Sequence, residues 1–387
     1  MTVPDHASAP EAVRRLQERL LRWLLDDAYP LWSTAGWDGR SGIFAERLDQ
    51  AGASPPEPRR ARVPPRQIYA FAKARSLGWT GDGDAIAKLG LATFLERYRR
   101  PDGLFRTLVA PDGATLDDAA TLYDQAFALL AFAAVHGLTP HAGAEADRLH
   151  QALMRHLKRP GDGFDSGLPE RLPLLANPHM HLFEACLAWL DLGEAEPWQG
   201  LADEIGLLAL MTLIDPDSGA LLETFDANWT PEAGLAGRVV EPGHQFEWAW
   251  LLLRWGTTNA ALRLIQIGEA AGTRDGVTVN ALLNDLSVHD GAARLWPQTE
   301  RLKASALAAS LTGETRYWDA TASAAATLLR YLDTPVRGLW HDRMDADGHF
   351  IDAPAPASSF YHIVAAIVAL TEAVNGPIKN NRTGGSA

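Results

Sequence analysis

Six polar residues that can bind a ligand or move a proton recur along the chain at intervals near sixty residues. They are, in chain order, Arg66, Tyr123, His181, His244, Glu300 and His362. Each stands at the start of an apolar segment, where a polar residue is not expected. Helix termini need capping groups, but caps are usually Ser, Thr, Asp or Asn rather than His, Arg and Tyr. The pattern therefore predicts one pocket to which six helices each contribute a polar side chain.

Two of these histidines are followed by a glutamate three residues later, in the pairs His181–Glu184 and His244–Glu247. Residues three apart lie on one helix face, so we expect each carboxylate to orient its imidazole and to raise its basicity. Imidazole titrates near neutral pH, which suits removal and return of a proton. The alternative for either pair is an ion pair on a solvated helix surface.

Aromatic residues and arginines lie beside the polar set. The aromatic residues are Tyr69, Trp248, Trp296, Phe360 and Tyr361. Rings among hydrogen-bonding groups suit a sugar, although any one of these rings is more typical of a core. Four arginines occur in or beside a proline-rich loop, namely Arg59, Arg60, Arg62 and Arg66. Such a cluster either binds a phosphate or sulfonate group or is merely solvated.

The segments that position these residues are helices of two kinds. Amphipathic helices are predicted over 12–27, 84–98, 144–157, 198–213, 259–271 and 317–331. More uniformly apolar helices alternate with them, as expected for helices that are buried on all sides. Loops that begin with glycine join each amphipathic helix to the next apolar one, and they start at Gly42, Gly103, Gly163, Gly219 and Gly338. One further loop of this series is degenerate.

Six such hairpins predict an all-α fold, an (α/α)6 barrel of outer and inner helices. An open superhelix of helix pairs would give a similar pattern. We favour the closed form because neither end carries a polar capping repeat. With no evident linker, residues 1–376 are predicted to form one catalytic domain and residues 377–387 a disordered tail.

Composition limits the partners of the protein. The formal net charge of −13 opposes binding to nucleic acid or to anionic membranes. The single cysteine, Cys186, cannot form an internal disulfide, which fits a reducing compartment. We expect neither a membrane-spanning segment nor a secretory signal. These features predict a cytoplasmic protein, with a homodimer left open.

The segments PRQIYAFA, LYDQAF, NPHMHLFEA, GHQFEW, RLWPQTE and SSFYHIV resemble the N-acylglucosamine 2-epimerase superfamily, which includes mannose isomerases and cellobiose 2-epimerases. The resemblance extends over nearly the whole chain. It implies an (α/α)6 barrel and a cofactor-independent interconversion of aldoses with ketoses, or of C2 epimers. By motif, His244 and His362 resemble the catalytic histidines of the family. Its sugar-contacting and supporting positions resemble Arg66, Tyr123, Asn177, His181, Glu247, Trp296 and Glu300.

The segment NPHMHLFEA is closest to the mannose-isomerase branch. The resemblance therefore implies conversion of D-mannose to D-fructose through a cis-enediol, with a monosaccharide as the ligand and no metal or other cofactor. C2 epimerisation of an aldose or an N-acylated sugar, and isomerisation of mannose 6-phosphate, are the alternatives. Gln125, where we expect histidine, and Arg238, which is close to His244, depart from the family pattern. These departures bear on the substrate rather than on the type of reaction.

Three unrelated functions fit parts of the same pattern. A glycoside hydrolase on this barrel would need two carboxylates, such as Glu247 and Glu300, or Asp124 or Asp165, but would not need the histidines. A zinc or manganese site could use His181, Glu184, His244, Glu247 and His362. A helical-repeat scaffold would bind a protein on a concave face, without a convergent ring of ionisable groups.

Overall fold

The computed structural model describes residues 9–376, and helices dominate this part of the chain. The tail predicted for 377–387 lies outside the described residues. The helices are α1 (Glu11–Arg22), α2 (Tyr29–Trp32), α3 (Val63–Leu77), α4 (Gly83–Tyr98), α5 (Leu122–Val135), α6 (Ala142–His156), α7 (Ala176–Leu190), α8 (Trp198–Leu208), α9 (Pro242–Trp255), α10 (Thr258–Ala270), α11 (Leu295–Thr312), α12 (Thr315–Tyr331) and α13 (Ser358–Asn375). Short π-helical turns, Trp23–Ala28 and Ala209–Leu213, extend α1 and α8.

Outer and inner helices alternate as predicted. The outer helices are α1, α4, α6, α8, α10 and α12, and the inner helices are α3, α5, α7, α9, α11 and α13. In the outer helix α6, the buried positions are Ala142, Ala146, Leu149, Ala152 and Leu153, a single stripe at helical spacing. In the inner helix α5 nearly every residue is buried. The difference between a striped and a uniformly apolar sequence is therefore what separates the two layers.

The six inner helices form a closed ring. Each packs against the next one along the chain, from α3 to α13, and α13 packs back against α3. The first outer helix, α1, lies against α12 and α13, so that it covers the seam. This arrangement confirms the (α/α)6 barrel and rules out an open superhelix, in which α3 and α13 would not meet.

Short strands occupy the loops between the hairpins. They are β1 (Trp37–Asp38), β2 (Ile43–Phe44), β3 (Arg47–Leu48), β4 (Arg59–Arg60), β5 (Leu108–Val109), β6 (Thr115–Asp117), β7 (Ala120–Thr121), β8 (Gly167–Leu168), β9 (Leu174–Leu175), β10 (Thr224–Phe225), β11 (Val239–Val240), β12 (Thr273–Arg274), β13 (Val277–Thr278), β14 (Ala281–Leu283), β15 (Val288–Asp290), β16 (Ala293–Arg294), β17 (Arg343–Met344) and β18 (Ala355–Pro356). All their pairings are antiparallel, and some link different loops, such as β9 with β10 and β3 with β18. The loops therefore form a continuous rim at the end of the barrel where the inner helices begin.

The glycines that open these loops adopt a left-handed backbone. Gly42, Gly103, Gly163, Gly219 and Gly338 have φ between 67° and 92°, a region that disfavours other residues. Gly276, with φ of 79°, occupies the same place before α11. Gly276 therefore begins the loop that is degenerate in the sequence. In this loop Val277 and Thr278 follow the glycine, whereas Leu and Phe follow Gly103.

Buried glutamines on the inner helices hold the loops in place. Gln125 accepts a hydrogen bond from the backbone N–H of Phe105 at 2.8 Å and donates one to its carbonyl at 2.9 Å. Gln245 does the same for Leu221, as Gln298 does for Thr278. Gln125, which departs from the family pattern, thus faces a loop rather than the barrel axis.

One inner helix is longer and more apolar than we expected from the sequence. The inner helix Ser358–Asn375 is long and apolar enough to pass as a membrane span, although we expected none. In the structure it packs against α3 and α11, and 56% of that window is buried inside the fold. The apolar composition is therefore that of a core helix enclosed by its neighbours.

Candidate active site

A cavity of about 790 Å³ opens at the rim, where the inner helices begin. Its walls include eight of the nine residues singled out in the sequence, namely Arg66, Tyr123, Asn177, His181, His244, Glu247, Trp296 and His362. The ninth, Glu300, is fully buried and lies behind His362. Because every inner helix begins at this rim, the sixty-residue period becomes a ring around one cavity.

His362, on α13, is held from behind by a carboxylate and an ammonium group. Its Nδ1 lies 2.8 Å from Oε1 of Glu300 on α11. The other carboxylate oxygen, Oε2, lies 2.6 Å from Nζ of Lys303, one turn further along α11. Since Nδ1 is engaged with Glu300, Nε2 is the atom that the ring offers to the cavity.

His244, on α9, pairs with a carboxylate that the sequence analysis missed. Its Nδ1 lies 2.8 Å from Oε2 of Glu223, in the loop between α8 and α9. The prediction that Glu247 orients His244 is wrong: Oε1 of Glu247 is directed towards His181, 3.9 Å from its Nδ1. One turn of α9 separates His244 from Glu247, and the loop carboxylate reaches the ring instead.

A positional signal for Glu223 exists in the sequence. Glu223 is the fourth residue after the loop glycine Gly219, and Glu46 and Asp342 stand at the same distance from Gly42 and Gly338. Glu46 and Asp342 both line the cavity. The fourth residue after these glycines is thus a polar position at the rim, and this regularity would have indicated the partner of His244.

The two histidines experience opposite electrostatic environments. Burial alone would lower the pKa of His244, but the carboxylates of Glu223, Glu241 and Glu247 outweigh it and raise the pKa to about 9. Burial lowers the pKa of His362, and the hydrogen bond and charge of Glu300 offset this only in part. Near neutral pH, His244 therefore carries a proton on both nitrogens while His362 is neutral.

His181, on α7, forms its predicted pair with Glu184, at 3.3 Å between Nδ1 and Oε2. Burial lowers the pKa of His181 to about 3, so the ring is neutral. The hydroxyl of Tyr361 donates a hydrogen bond to the other oxygen of Glu184. Glu247 is buried next to Glu300, and both effects raise its pKa well above the ordinary value. The protonated form of Glu247 is therefore favoured relative to that of an exposed glutamate.

The indole of Trp296 lies between the two histidines. Its centroid is 4.9 Å from that of His244 and 5.9 Å from that of His362. The other four aromatic residues named from the sequence do not line the cavity: Trp248 packs against Phe183 in the core, for example. A flat apolar ring flanked by two imidazoles suits the C–H face of a sugar.

Arg66, Tyr123 and Asn177 form the opposite part of the wall. The guanidinium of Arg66 donates a hydrogen bond to the hydroxyl of Tyr123 and lies over the ring of Phe127, 4.0 Å from its centroid. Oδ1 of Asn177 is buried and has no hydrogen-bond partner among the described residues. An unpaired buried acceptor that lines a cavity is a natural place for a ligand hydroxyl.

Several arginines at the rim are already paired with carboxylates, whereas Arg66 forms no ion pair among the described residues. Arg60 binds Glu46, Arg62 lies 3.3 Å from Asp124, and Arg294 lies 2.9 Å from Glu241. Arg59 precedes Arg60 in β4. Because successive residues of a strand face opposite ways, Arg59 points away from the cavity and does not line it. Arg238, the second departure from the family pattern, binds Asn284 and Asp285 at the surface.

The carboxylates proposed for a glycoside hydrolase are engaged with other side chains. Oxygens of Glu247 and Glu300 lie within 4.8 Å of one another and of a ring nitrogen of His362. Glu300 is also behind His362 rather than in the cavity. Asp124 and Asp165 are held in ion pairs with Arg62 and Arg159.

Two groups of side chains have the spacing to hold a cation: His181 with Glu184 and Glu247, and Glu247 with Glu300 and His362. The buried ammonium of Lys303 lies beside the same carboxylates, and its charge acts on all three of them. Lys303 thus supplies a positive charge that compensates the carboxylates of both groups. His244 belongs to neither group, so the five-residue metal site considered from the sequence is not assembled.

Comparisons with known proteins agree with this geometry. The model of the N-acylglucosamine 2-epimerase (GlcNAc 2-epimerase) family matches residues 42–366. The chain belongs to the N-acylglucosamine 2-epimerase family. It is accordingly an enzyme of the sugar isomerase and epimerase class, and its substrate is a sugar.

Individual relatives support the same assignment. A mannose-6-phosphate isomerase of Rhizobium meliloti (strain 1021) is 49% identical over 372 residues, which cover 91% of this chain and 96% of the relative. A cellobiose 2-epimerase from Spirochaeta thermophila has a similar structure, with a TM-score of 0.84, 21% identity, and coverage of 94% of this chain and 97% of that one. A D-mannose isomerase structure matches with a TM-score of 0.84 and 19% identity over 94% of this chain and 100% of that one.

Proposed function

We propose that this member of the N-acylglucosamine 2-epimerase family interconverts D-mannose and D-fructose, and that His362 and His244 transfer the protons. The observation that carries the proposal is the pair of imidazoles on either side of Trp296. Each has its Nδ1 on a carboxylate, yet the two differ in protonation at neutral pH. A base and an acid at one cavity are what a 1,2-isomerisation requires.

The proton transfers follow from these protonation states. In the open-chain aldose, Nε2 of neutral His362 takes the proton from C2, while Nε2 of protonated His244 gives its proton to the carbonyl oxygen O1. The product is a cis-enediol. His244 then takes the proton from the hydroxyl at O2, a carbonyl forms at C2, and His362 returns its proton to C1. Arg66, Glu247 and the amide of Asn177 lie in the same wall, where they can bind the sugar oxygens.

Replacement of each histidine tests this mechanism. His362→Asn and His244→Asn should each lower kcat by about 10²–10⁴-fold, because each loses one proton-transfer group. In D2O, the native enzyme should place deuterium at C1 of the fructose it forms from mannose, since the base exchanges its proton with solvent. Near-native turnover in both variants would refute the assignment, and accumulation of deuterated glucose instead of fructose would identify a C2 epimerase.

Isomerisation of mannose 6-phosphate is the second candidate. The relative from Rhizobium meliloti, whose name specifies this substrate, favours it. The charge of the rim favours the free sugar, because Arg47, Arg60 and Arg294 already bind the carboxylates of Glu57, Glu46 and Glu241. A phosphate group would therefore compete with existing ion pairs.

Initial rates with mannose and with mannose 6-phosphate distinguish the two candidates. For the free sugar, Arg62→Met should change kcat/KM by less than about threefold, because mannose has no anionic group for the guanidinium at the cavity wall to bind. A kcat/KM for mannose 6-phosphate at least tenfold above that for mannose, lost in Arg62→Met, would establish the phosphorylated substrate. Arg59→Met, a change in the neighbouring arginine that faces away, is the matched control.

A further inference from the structure

Lys303 is a fully buried ammonium group that takes no part in the proton transfers proposed above. It lies on α11, one turn after Glu300, and its side chain is 0% exposed. Its Nζ is 2.6 Å from Oε2 of Glu300 and 4.0 Å from the centroid of the Trp250 ring. Lysine is rarely buried completely, because a charge in an apolar interior is costly unless it is paired.

The surroundings of Lys303 keep it charged. Burial lowers its pKa, but the carboxylates of Glu300, Glu184 and Glu247 outweigh burial, and the pKa is raised overall. Lys303 in turn lowers the pKa of Glu300 and of Glu184, whereas the pKa of Glu247 is raised by burial and by the charge of Glu300. Lys303 is thus the cation that compensates the carboxylates around it.

The two histidine–carboxylate pairs differ at this point. Glu300 is shared between His362 and a cation, whereas Glu223 pairs with His244, and no lysine or arginine of residues 9–376 forms an ion pair with it. An uncompensated carboxylate draws a second proton onto its imidazole. A compensated carboxylate only accepts the hydrogen bond from Nδ1–H and orients the ring.

We propose that Lys303 is a positioning residue that keeps His362 in its neutral, proton-accepting form by neutralising Glu300. This inference rests on the proposed function, in which His362 is the base. Lys303 does not line the cavity, so it acts only through Glu300 and through the field of its charge. Lys303 thereby gives His362 a different protonation state from His244, although each ring is paired with a glutamate.

Other charged groups also face His362, and the test has to account for them. From the neighbouring elements these are Arg66 on α3, His181 on α7, Glu247 on α9, and Glu300 and Lys303 on α11, with Tyr361 preceding His362 on α13. Arg66 and Lys303 both favour the neutral ring. Of these two cations, only Lys303 touches the carboxylate that holds His362.

Lys303→Met tests the proposal, because methionine retains the length of the side chain and removes the charge. The pair formed by His362 and Glu300 should then take up a proton at a pH about 1–3 units higher than in the native enzyme. The acidic limb of the kcat/KM profile should move to higher pH by the same amount, with activity recovered in alkaline buffer. A profile that falls uniformly at all pH values, without a shift, would contradict the proposal.

A titration of the ring itself does not depend on knowing the substrate. The ¹⁵N chemical shifts of a labelled histidine ring move as the imidazole takes up a proton, and His362→Gln identifies the signals of His362. If these signals titrate at higher pH in Lys303→Met, the inference holds even when the mannose assay shows no activity. If they titrate as in the native enzyme, the inference fails even when the isomerase activity is confirmed.

A second comparison uses two variants that both lack the carboxylate of Glu300, so that no buried Glu300 carboxylate is left without Lys303. In Glu300→Gln, Lys303 loses the carboxylate that it contacts, and the pKa of His362 should fall below its native value. In Glu300→Gln/Lys303→Met, the pKa should rise again by about one unit. Equal values in these two variants would refute an electrostatic role of Lys303.

Arg301→Met is the matched control on the same helix. Arg301 is buried, pairs with Glu269 at 2.7 Å, and lies outside the cavity. Its loss removes a buried ion pair of α11 without touching Glu300. The titration of His362 should be unchanged in this variant, and a shift as large as that in Lys303→Met would assign the effect to general loosening of α11, against the proposal.

Discussion

At the scale of single residues, the site depends on two imidazoles with similar contacts and different charges. Both have Nδ1 at 2.8 Å from a glutamate oxygen. The difference is in what lies behind each glutamate: Lys303 behind Glu300, and a second carboxylate, Glu241, near Glu223. The protonation of an active-site histidine is therefore set by groups that never touch the sugar.

Glu223→Gln should lower the alkaline limit of activity. Glu223 helps to raise the pKa of His244 to about 9, and the proposed mechanism uses the protonated imidazole, so native activity should be lost as pH rises through about 9. Without the carboxylate, the pKa falls towards the ordinary value, and activity should be lost from a lower pH, by about 1–2 units. Profiles of kcat/KM between pH 6 and pH 10 would show the shift.

Glu232→Gln, at a partly exposed loop position after Glu223, is the control for that experiment. Its profile should match the native one. An alkaline limb that stays in place in Glu223→Gln would mean that His244 does not act as the proton donor.

Much of the site could be predicted from the sequence, because residues with a fixed period in a closed ring must meet at one end. That argument placed Arg66, His244 and His362 around one cavity. It did not find Glu223, because it used only the starts of the inner helices, whereas the signal for Glu223 is its distance from the loop glycine Gly219. It also assigned Glu247 to the wrong histidine, since spacing along a helix gives the shared face but not the competing partner from a loop.

At the scale of elements, the outer helices, taken together with the π-helical turns that extend α1 and α8, were predicted to within about two residues, because burial on one side dictates a 3.6-residue period. The short strands of the rim could not be predicted. With only two or three residues in each, they have no detectable alternation, and their pairing partners come from other loops. The glutamines that clamp these loops likewise look like ordinary polar residues of a helix.

Gly338→Ala should destabilise the barrel more than Gly348→Ala does. Both glycines are left-handed, with φ of 90° and 87°, so alanine costs about 1 kcal/mol at either position. At Gly338 the new Cβ would also lie 2.5 Å from the backbone oxygen of Asp27, whereas nothing lies within 4 Å at Gly348. We expect a further loss of about 1–3 kcal/mol there. Thermal unfolding of both variants measures the difference, and equal midpoints would show that the contact between the loop and α1 is loose.

At the scale of the whole molecule, the barrel encloses histidines that must stay neutral. Burial lowers the pKa of His179 to about 4, although its Nδ1 hydrogen-bonds the carbonyl of Leu175. A folded pKa below the unfolded value of about 6.5 means that the unfolded chain binds the proton first as the pH falls. Stability from this group is thus complete above about pH 6.5 and decreases as the pH approaches 4.

His179→Gln should make the barrel less sensitive to acid. Nε2 of His179 accepts the N–H of Phe164, the task that Gln125 and Gln245 perform for other loops, so glutamine should keep the contact. Relative to the native protein, the variant should gain about 2 kcal/mol in urea unfolding at pH 5 and little at pH 7.5. His289→Gln, at an exposed position, is the control, and an equal gain at both pH values would exclude titration as the cause.

The closed ring also determines the order in which a nascent chain can acquire its chemistry. α13 fills the gap between α11 and α3, and it carries His362. Until that helix has left the ribosome, the earlier hairpins can stack but have neither a sealed wall nor the imidazole of His362. Catalytic competence should therefore appear in one step, once α13 has emerged, rather than grow with each added hairpin.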